Sequence, residues 1–200
     1  MPVKKILSLA LVALFALSLG ACGDKAKGPA EAALKAAEEA LNAGKAEAAK
    51  LIPDQVAAAE DALKQAKELF QKKDYAGALS AATAVADKAK GLGAAAMAKK
   101  DELTKGWEEQ AKLLPNMIGA IKSRVDILSK SKKLPEGLDA AKLDGAKSGL
   151  AEVTKTWEEA AAAFKEGALA DASAKAKAVK KKAVEIMNTL GMQIPAAAKS

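Results

Sequence analysis

The sequence predicts an all-α protein, an elongated antiparallel helical bundle built from three repeated helical hairpins. Composition is the first reason. Half of the 200 residues are hydrophobic but only 3% are aromatic, and much of the apolar content is alanine. Alanine is the strongest helix former, and the bulky β-branched residues that favour strands are sparse. The second reason is periodicity, since apolar residues recur at alternating spacings of three and four, the signature of one helix face. The third is repetition: "ELTKGWEEQA" at 102–111 and "EVTKTWEEAA" at 152–161 share Glu, Thr, Lys, Trp, Glu, Glu and Ala at an offset of 50 residues.

Taken in order, residues 1–21 form a leader and 22–28 a polar, glycine-bearing tether. Residues 29–200 form the helical domain, opened by Pro29, which suits a first helical turn, and by a less regular helical stretch at 30–51. One stripe is Val56, Ala59, Leu63, Ala66 and Phe70. Another runs Leu143, Ala146, Leu150, Val153, Trp157, Ala160, Phe164, and a third runs Leu169, Ala172, Ala176, Val179, Ala183, Ile186, Leu190. Breaks are expected at Ile52-Pro53, at Lys73-Asp74 with Asp74 as the next cap, at Leu114-Pro115-Asn116, at Leu134-Pro135-Glu136-Gly137 and at Glu166-Gly167. In this register Leu63, Trp107 and Trp157 correspond, as do Phe70, Leu114 and Phe164, each of the latter followed by a turn and a second helix. Those second helices begin at Tyr75, at Ile118 and at Leu169. Between 75 and 114 only Gly91 and Gly93 hint at a break, so one long helix there is an alternative. The length suits one domain with a continuous core.

Several function classes are disfavoured. There is no histidine, hence neither the commonest general base nor the commonest transition-metal ligand. The paired carboxylates Glu38-Glu39, Glu108-Glu109 and Glu158-Glu159 diverge by roughly 100° on a helix and read as solvated faces. No glycine loop of phosphate-cradling form is present; "GLG" at 91–93 lacks the third glycine and a preceding strand. An enzyme is not expected, nor a cofactor, nor a metal site. Arg124 is the only arginine, and lysine is a point charge poorly suited to reading base edges, so nucleic acid is not an expected partner.

The start of the chain carries the functional signal. Lys4 and Lys5 precede an apolar stretch from Ile6 to Leu19, then small residues lead to Cys22, the only cysteine. This is the form of a secretory signal peptide, too short to be a certain bilayer span. Leu19-Gly20-Ala21-Cys22 in "ALFALSLGACGDKAKGPAE" resembles the lipobox of bacterial lipoproteins, with Gly20 where Ala or Ser is usual. The resemblance implies that Cys22 becomes the first residue of the mature chain and carries acyl chains, palmitate among them. Two or three chains hold a protein at a bilayer nearly permanently, whereas one binds marginally. Gly23 follows the cysteine and Asp24 comes one later. Because Asp directly after the cysteine resembles an inner-membrane retention signal, this order implies the outer membrane, facing the periplasm, in a Gram-negative cell.

With the leader removed, 30 basic and 25 acidic residues remain, a mildly basic balance. The lysine-rich stretches 122–133 and 175–182 read first as solvated faces and second as contacts for anionic head groups or acidic envelope polymers. Trp107, Trp157, Phe70, Phe164 and Tyr75 are the aromatic residues of the domain, candidates for helix packing or for holding a ligand. Gly145 and Gly149 have the spacing of a close helix approach. The segment "KKDYAGALSAATAVADKA" resembles the start of a tetratricopeptide helix, and the whole looks more like the α-helical lipoproteins of bacterial envelopes. The resulting expectation is a non-catalytic, membrane-anchored envelope lipoprotein that acts as a scaffold or partner-binding module with a protein partner in the envelope. The alternative is a periplasmic carrier of an apolar ligand or lipid.

Overall fold

The computed structural model describes residues 25–199, and these described residues form five α-helices. They are α1 (Lys27–Leu51), α2 (Pro53–Gln71), α3 (Tyr75–Lys130), α4 (Ala140–Lys165) and α5 (Leu169–Thr189), followed by a 3-10 turn at Ala196–Ala198. The expected leader, Cys22 and the start of the expected tether lie outside the described residues. α1 already includes Lys27 and Gly28, and it is a regular helix whose buried face is Ala30, Leu34, Ala37, Leu41 and Ala48.

The chain divides into two compact units, one up to Met97 and one from Ala98. Each has its own buried cluster rather than a share of one continuous core. In the first, α1, α2 and the first part of α3 surround Leu41, Val56, Ala59, Ala66, Val85 and Leu92. Lys45 pairs with Glu60 and Lys67 with Glu38, so residue numbers rise on α1 as they fall on α2 and the two helices are antiparallel. In the second unit, the remainder of α3, α4 and α5 surround Leu114, Ile121, Val153, Val179 and Leu190. Gly149 lies against Ile186 and Glu159 against Lys175, the same antiparallel relation between α4 and α5.

Every stripe residue expected on α2, α4 and α5 is buried or half-buried. Four of the five expected breaks are present. Pro53 stands in the first turn of α2, Asp74 Oδ1 accepts the Gly77 N–H at 2.9 Å, and a loop covers 131–139. The end of α4 turns at Gly167, whose φ of 80° lies in the left-handed region. There the Ala168 N–H donates back to Ala163 O at 2.9 Å, closing a Schellman turn. The turn after α2 closes in the same way, Asp74 N–H to Leu69 O at 3.0 Å, but its left-handed residue is Lys73 with φ 64°. A side chain at that φ costs about 1 kcal/mol relative to glycine. Lys73→Gly is therefore expected to stabilise the first unit by about 1 kcal/mol in urea denaturation, and a loss of stability would refute this turn geometry.

The break expected at Leu114-Pro115-Asn116 is absent, and with it the middle hairpin. α3 is one helix of 56 residues that includes Pro115 and also passes through Gly91 and Gly93. Proline in a helix interior costs about 3 kcal/mol through a lost hydrogen bond and crowding of the preceding turn. Here Leu114, Met117 and Ile121 are each at most 1% exposed and continue the stripe from Trp107. Burial of each such side chain contributes about 1.5–3 kcal/mol, so a break that swung them outward would cost more than the proline does. Pro115 itself is exposed, and Asn116 Nδ2 donates to Lys112 O at 2.9 Å beside the interrupted ladder.

The pattern that recurs is a three-helix unit. Leu34, Ala37, Leu41 and Ala48 of α1 have counterparts eighty residues on in Leu114, Met117, Ile121 and Leu128 of α3. Ala59, Ala66, Ala82, Val85 and Ala89 have counterparts 94 residues on in Val153, Ala160, Ala176, Val179 and Ala183. The longer 131–139 connection, together with α4 having 26 residues against the 19 of α2, accommodates the difference in offset. α3 is thus the last helix of one pattern and the first of the next.

Candidate functional site

The aromatic residues assemble in two places. In the second unit, Trp157 and Phe164 stand seven residues apart on α4, which separates their attachment points by about 10 Å along the helix axis. Trp107 of α3 fills that interval. Its ring stacks on Trp157 with centroids 5.0 Å apart and planes 12° apart, and on Phe164 at 4.6 Å and 8°. Two protein rings therefore stack on the Trp107 indole, which is 9% exposed, while Trp157 and Phe164 remain half-buried. The similarity of the two Trp segments reflects this pairing of facing helices rather than successive hairpins. In the first unit, Phe70 and Tyr75 meet edge to face at 5.1 Å across the Lys72–Asp74 turn.

Of the two glycines read as a close-approach motif, only Gly149 serves. A Cβ there would lie 3.0 Å from Ile186 Cδ1, whereas Gly145 faces open space.

The surface of the described residues includes two open grooves of similar size. One, of about 510 Å³, lies between α1 and α2, floored by Leu41 and Leu63 and edged by Glu38, Glu60, Lys64 and Lys67. The other, of about 480 Å³, lies in the second unit among Gln110, Leu113, Asn116, Lys180 and Ala197. Gln110 Oε1 is buried there without a hydrogen-bond partner among the described residues. The grooves are edged by charged and amide side chains, a poor lining for an apolar ligand, since burying unpaired polar groups against hydrocarbon is unfavourable.

The carboxylate pairs lie on the outer faces of their helices. Glu39, Glu108, Glu109, Glu158 and Glu159 are exposed, and half-buried Glu38 pairs with Lys67. Among the described residues, no group of three or more Cys, Asp or Glu side chains converges in a way that could hold a metal ion. Lys175 donates to Asp171 Oδ2 at 2.9 Å and lies 3.9 Å from Glu159. The hydrogen bond to Asp171 is the main cause that raises its pKa above 10.5; desolvation opposes it, and the charges of Asp171, Glu159 and Glu166 add to it. Its contribution to folding is thus present below pH 10.5 and is lost as pH rises through the higher folded value.

The lysine stretch 122–133 is exposed at Lys122, Lys130, Lys132 and Lys133. Two features of this stretch carry no sequence signal of their own. Ile127 is 60% exposed, and the Nε of Arg124 is buried without an acceptor among the described residues. Among the described residues no helix is long and apolar enough to cross a membrane. No protein-family model, curated protein or solved structure matches the chain.

Proposed function

We propose that the protein is a non-catalytic envelope lipoprotein, held to a membrane through acylated Cys22, whose helices form a scaffold or partner-binding module. The observation that carries this reading is Leu19-Gly20-Ala21-Cys22 at the end of a basic and then apolar leader. Recurrence of one three-helix pattern supports a scaffold, because each unit presents exposed helix faces to a partner. Exposed carboxylates without convergence, together with the absence of histidine, argue against catalysis.

The carrier alternative requires a place for hydrocarbon, and both grooves are edged by charge. Native mass spectrometry of protein purified from cells, with the anchor removed, separates the two readings. The scaffold reading expects a bare chain. A lipid that co-purifies reproducibly at one copy per chain would favour the carrier.

A further inference from the structure

We infer that the C-terminal end of α3 and the loop after it form a docking surface for an anionic lipid bilayer, with Ile127 as its apolar tip and Arg124, Lys130, Lys132 and Lys133 around it. The inference rests on the anchored reading above, which supplies the bilayer. Charge within the second unit is uneven. Residues 117–133 carry five basic side chains against Asp126, and 167–199 carry six against Asp171 and Glu185 with Lys175 ion-paired, whereas 99–116 are balanced four to four and 150–166 carry two basic against four acidic. Lys130, Lys132 and Lys133 are exposed and have no ion-pair partner among the described residues; Asp126 and Glu136 are the nearest acids in sequence.

Helix geometry groups Arg124 and Lys130 with Ile127, and Lys132 and Lys133 follow in the loop. Positions 123, 124, 130 and 131 are three or four residues from Ile127 and share its face. Ser123 and Ser131 donate their hydroxyl protons to Gly119 O and Ile127 O, both at 3.0 Å, so their polar hydrogens are turned back onto the helix. Ile127 is left as a 60% exposed side chain bordered by Arg124 and Lys130. Only Met97 is a comparably exposed large apolar residue among those described. An exposed apolar side chain bordered by cations suits the interface of an anionic bilayer, where the head groups meet the charges and the acyl boundary receives the tip. The loop that carries Lys132 and Lys133 is held by Lys142 Nζ, which donates to Gly137 O at 2.7 Å.

The test is lysine footprinting of the full lipidated chain with a water-soluble acetylating reagent, read by mass spectrometry on the vesicle-bound fraction. Vesicles are phosphatidylcholine alone, or mixed one to one with phosphatidylglycerol and present in excess. Acetylation of Lys130, Lys132 and Lys133 is expected to slow about five-fold on the anionic vesicles, the factor that corresponds to about 1 kcal/mol per lysine at such a surface. The slowing should vanish in 1 M salt, where the screening length falls to about 3 Å. Exposed Lys155 and Lys165 on α4 serve as references and should not change. Ile127→Ser, a surface change, should weaken the slowing. Equal rates on the two vesicles would overturn the inference. So would equal slowing by soluble polyglutamate that Ile127→Ser leaves intact, which would assign the patch to an acidic polymer. Failure of the anchor is read separately, as a chain that does not float with phosphatidylcholine vesicles.

Discussion

Replacement of Trp107 by alanine is expected to destabilise the second unit by about 3–5 kcal/mol, the usual cost of removing a large buried aromatic side chain. The magnitude follows from position. The indole is 9% exposed and bridges Trp157 and Phe164, so its loss removes two stacked contacts and leaves a gap spanning two helical turns of α4. Trp157→Ala is expected to cost less, because that ring is half-buried and has one stacking partner. Chemical denaturation of the two variants, followed by circular dichroism at helix wavelengths, checks the order. If Trp157→Ala proved the more damaging, the sandwich would be wrong.

Ala176→Asp is the second large effect. Ala176 is 1% exposed and belongs to the alanine seam Ala172, Ala176 and Ala183 of α5. A carboxyl group introduced there meets the apolar cluster of the unit and loses its hydration, at an expected cost of about 4 kcal/mol or more. Ala174→Asp, two residues away on an exposed face, is expected to stay within about 0.5 kcal/mol of wild type. Measured side by side, the two substitutions change composition identically and differ only in the face they occupy. Similar losses for both would contradict the assigned faces of α5.

Much of the helical pattern could be read from the residues because it depends on short-range rules. The stripe Leu143 to Phe164 needs only the 3.6-residue period, and Asp74 and Gly167 mark boundaries by their own side-chain and backbone chemistry. Pro115 misled because a local breaker competes with burial of Leu114, Met117 and Ile121, and that burial outweighs the cost of the proline. The repeat misled for a related reason. The similarity around Trp107 and Trp157 is strong, but a linear comparison cannot distinguish successive hairpins from two helices that face each other. The three-helix recurrence emerges only when buried positions are compared, since its two offsets differ through the longer loop at 131–139 and the longer helix α4.

The candidate surface was partly legible. Lysines 122–133 stand out in the sequence, but the exposure of Ile127 does not. Isoleucine normally contributes to a buried stripe, and only the stripe Ile121, Val125, Leu128 on the opposite side of the helix shows that Ile127 is left over. Similarly, Gly145 and Gly149 are equivalent as a motif, and the position of Ile186 decides that only Gly149 is packed.

The reading as an envelope lipoprotein depends on acylation of Cys22. Cells fed an alkyne-bearing fatty acid, followed by purification and intact mass measurement, test it most directly. A labelled chain that begins at Cys22 and carries two or three acyl groups is expected, with no label on Cys22→Ser. An unlabelled wild-type chain, or one whose Cys22 retains a free thiol, would contradict it.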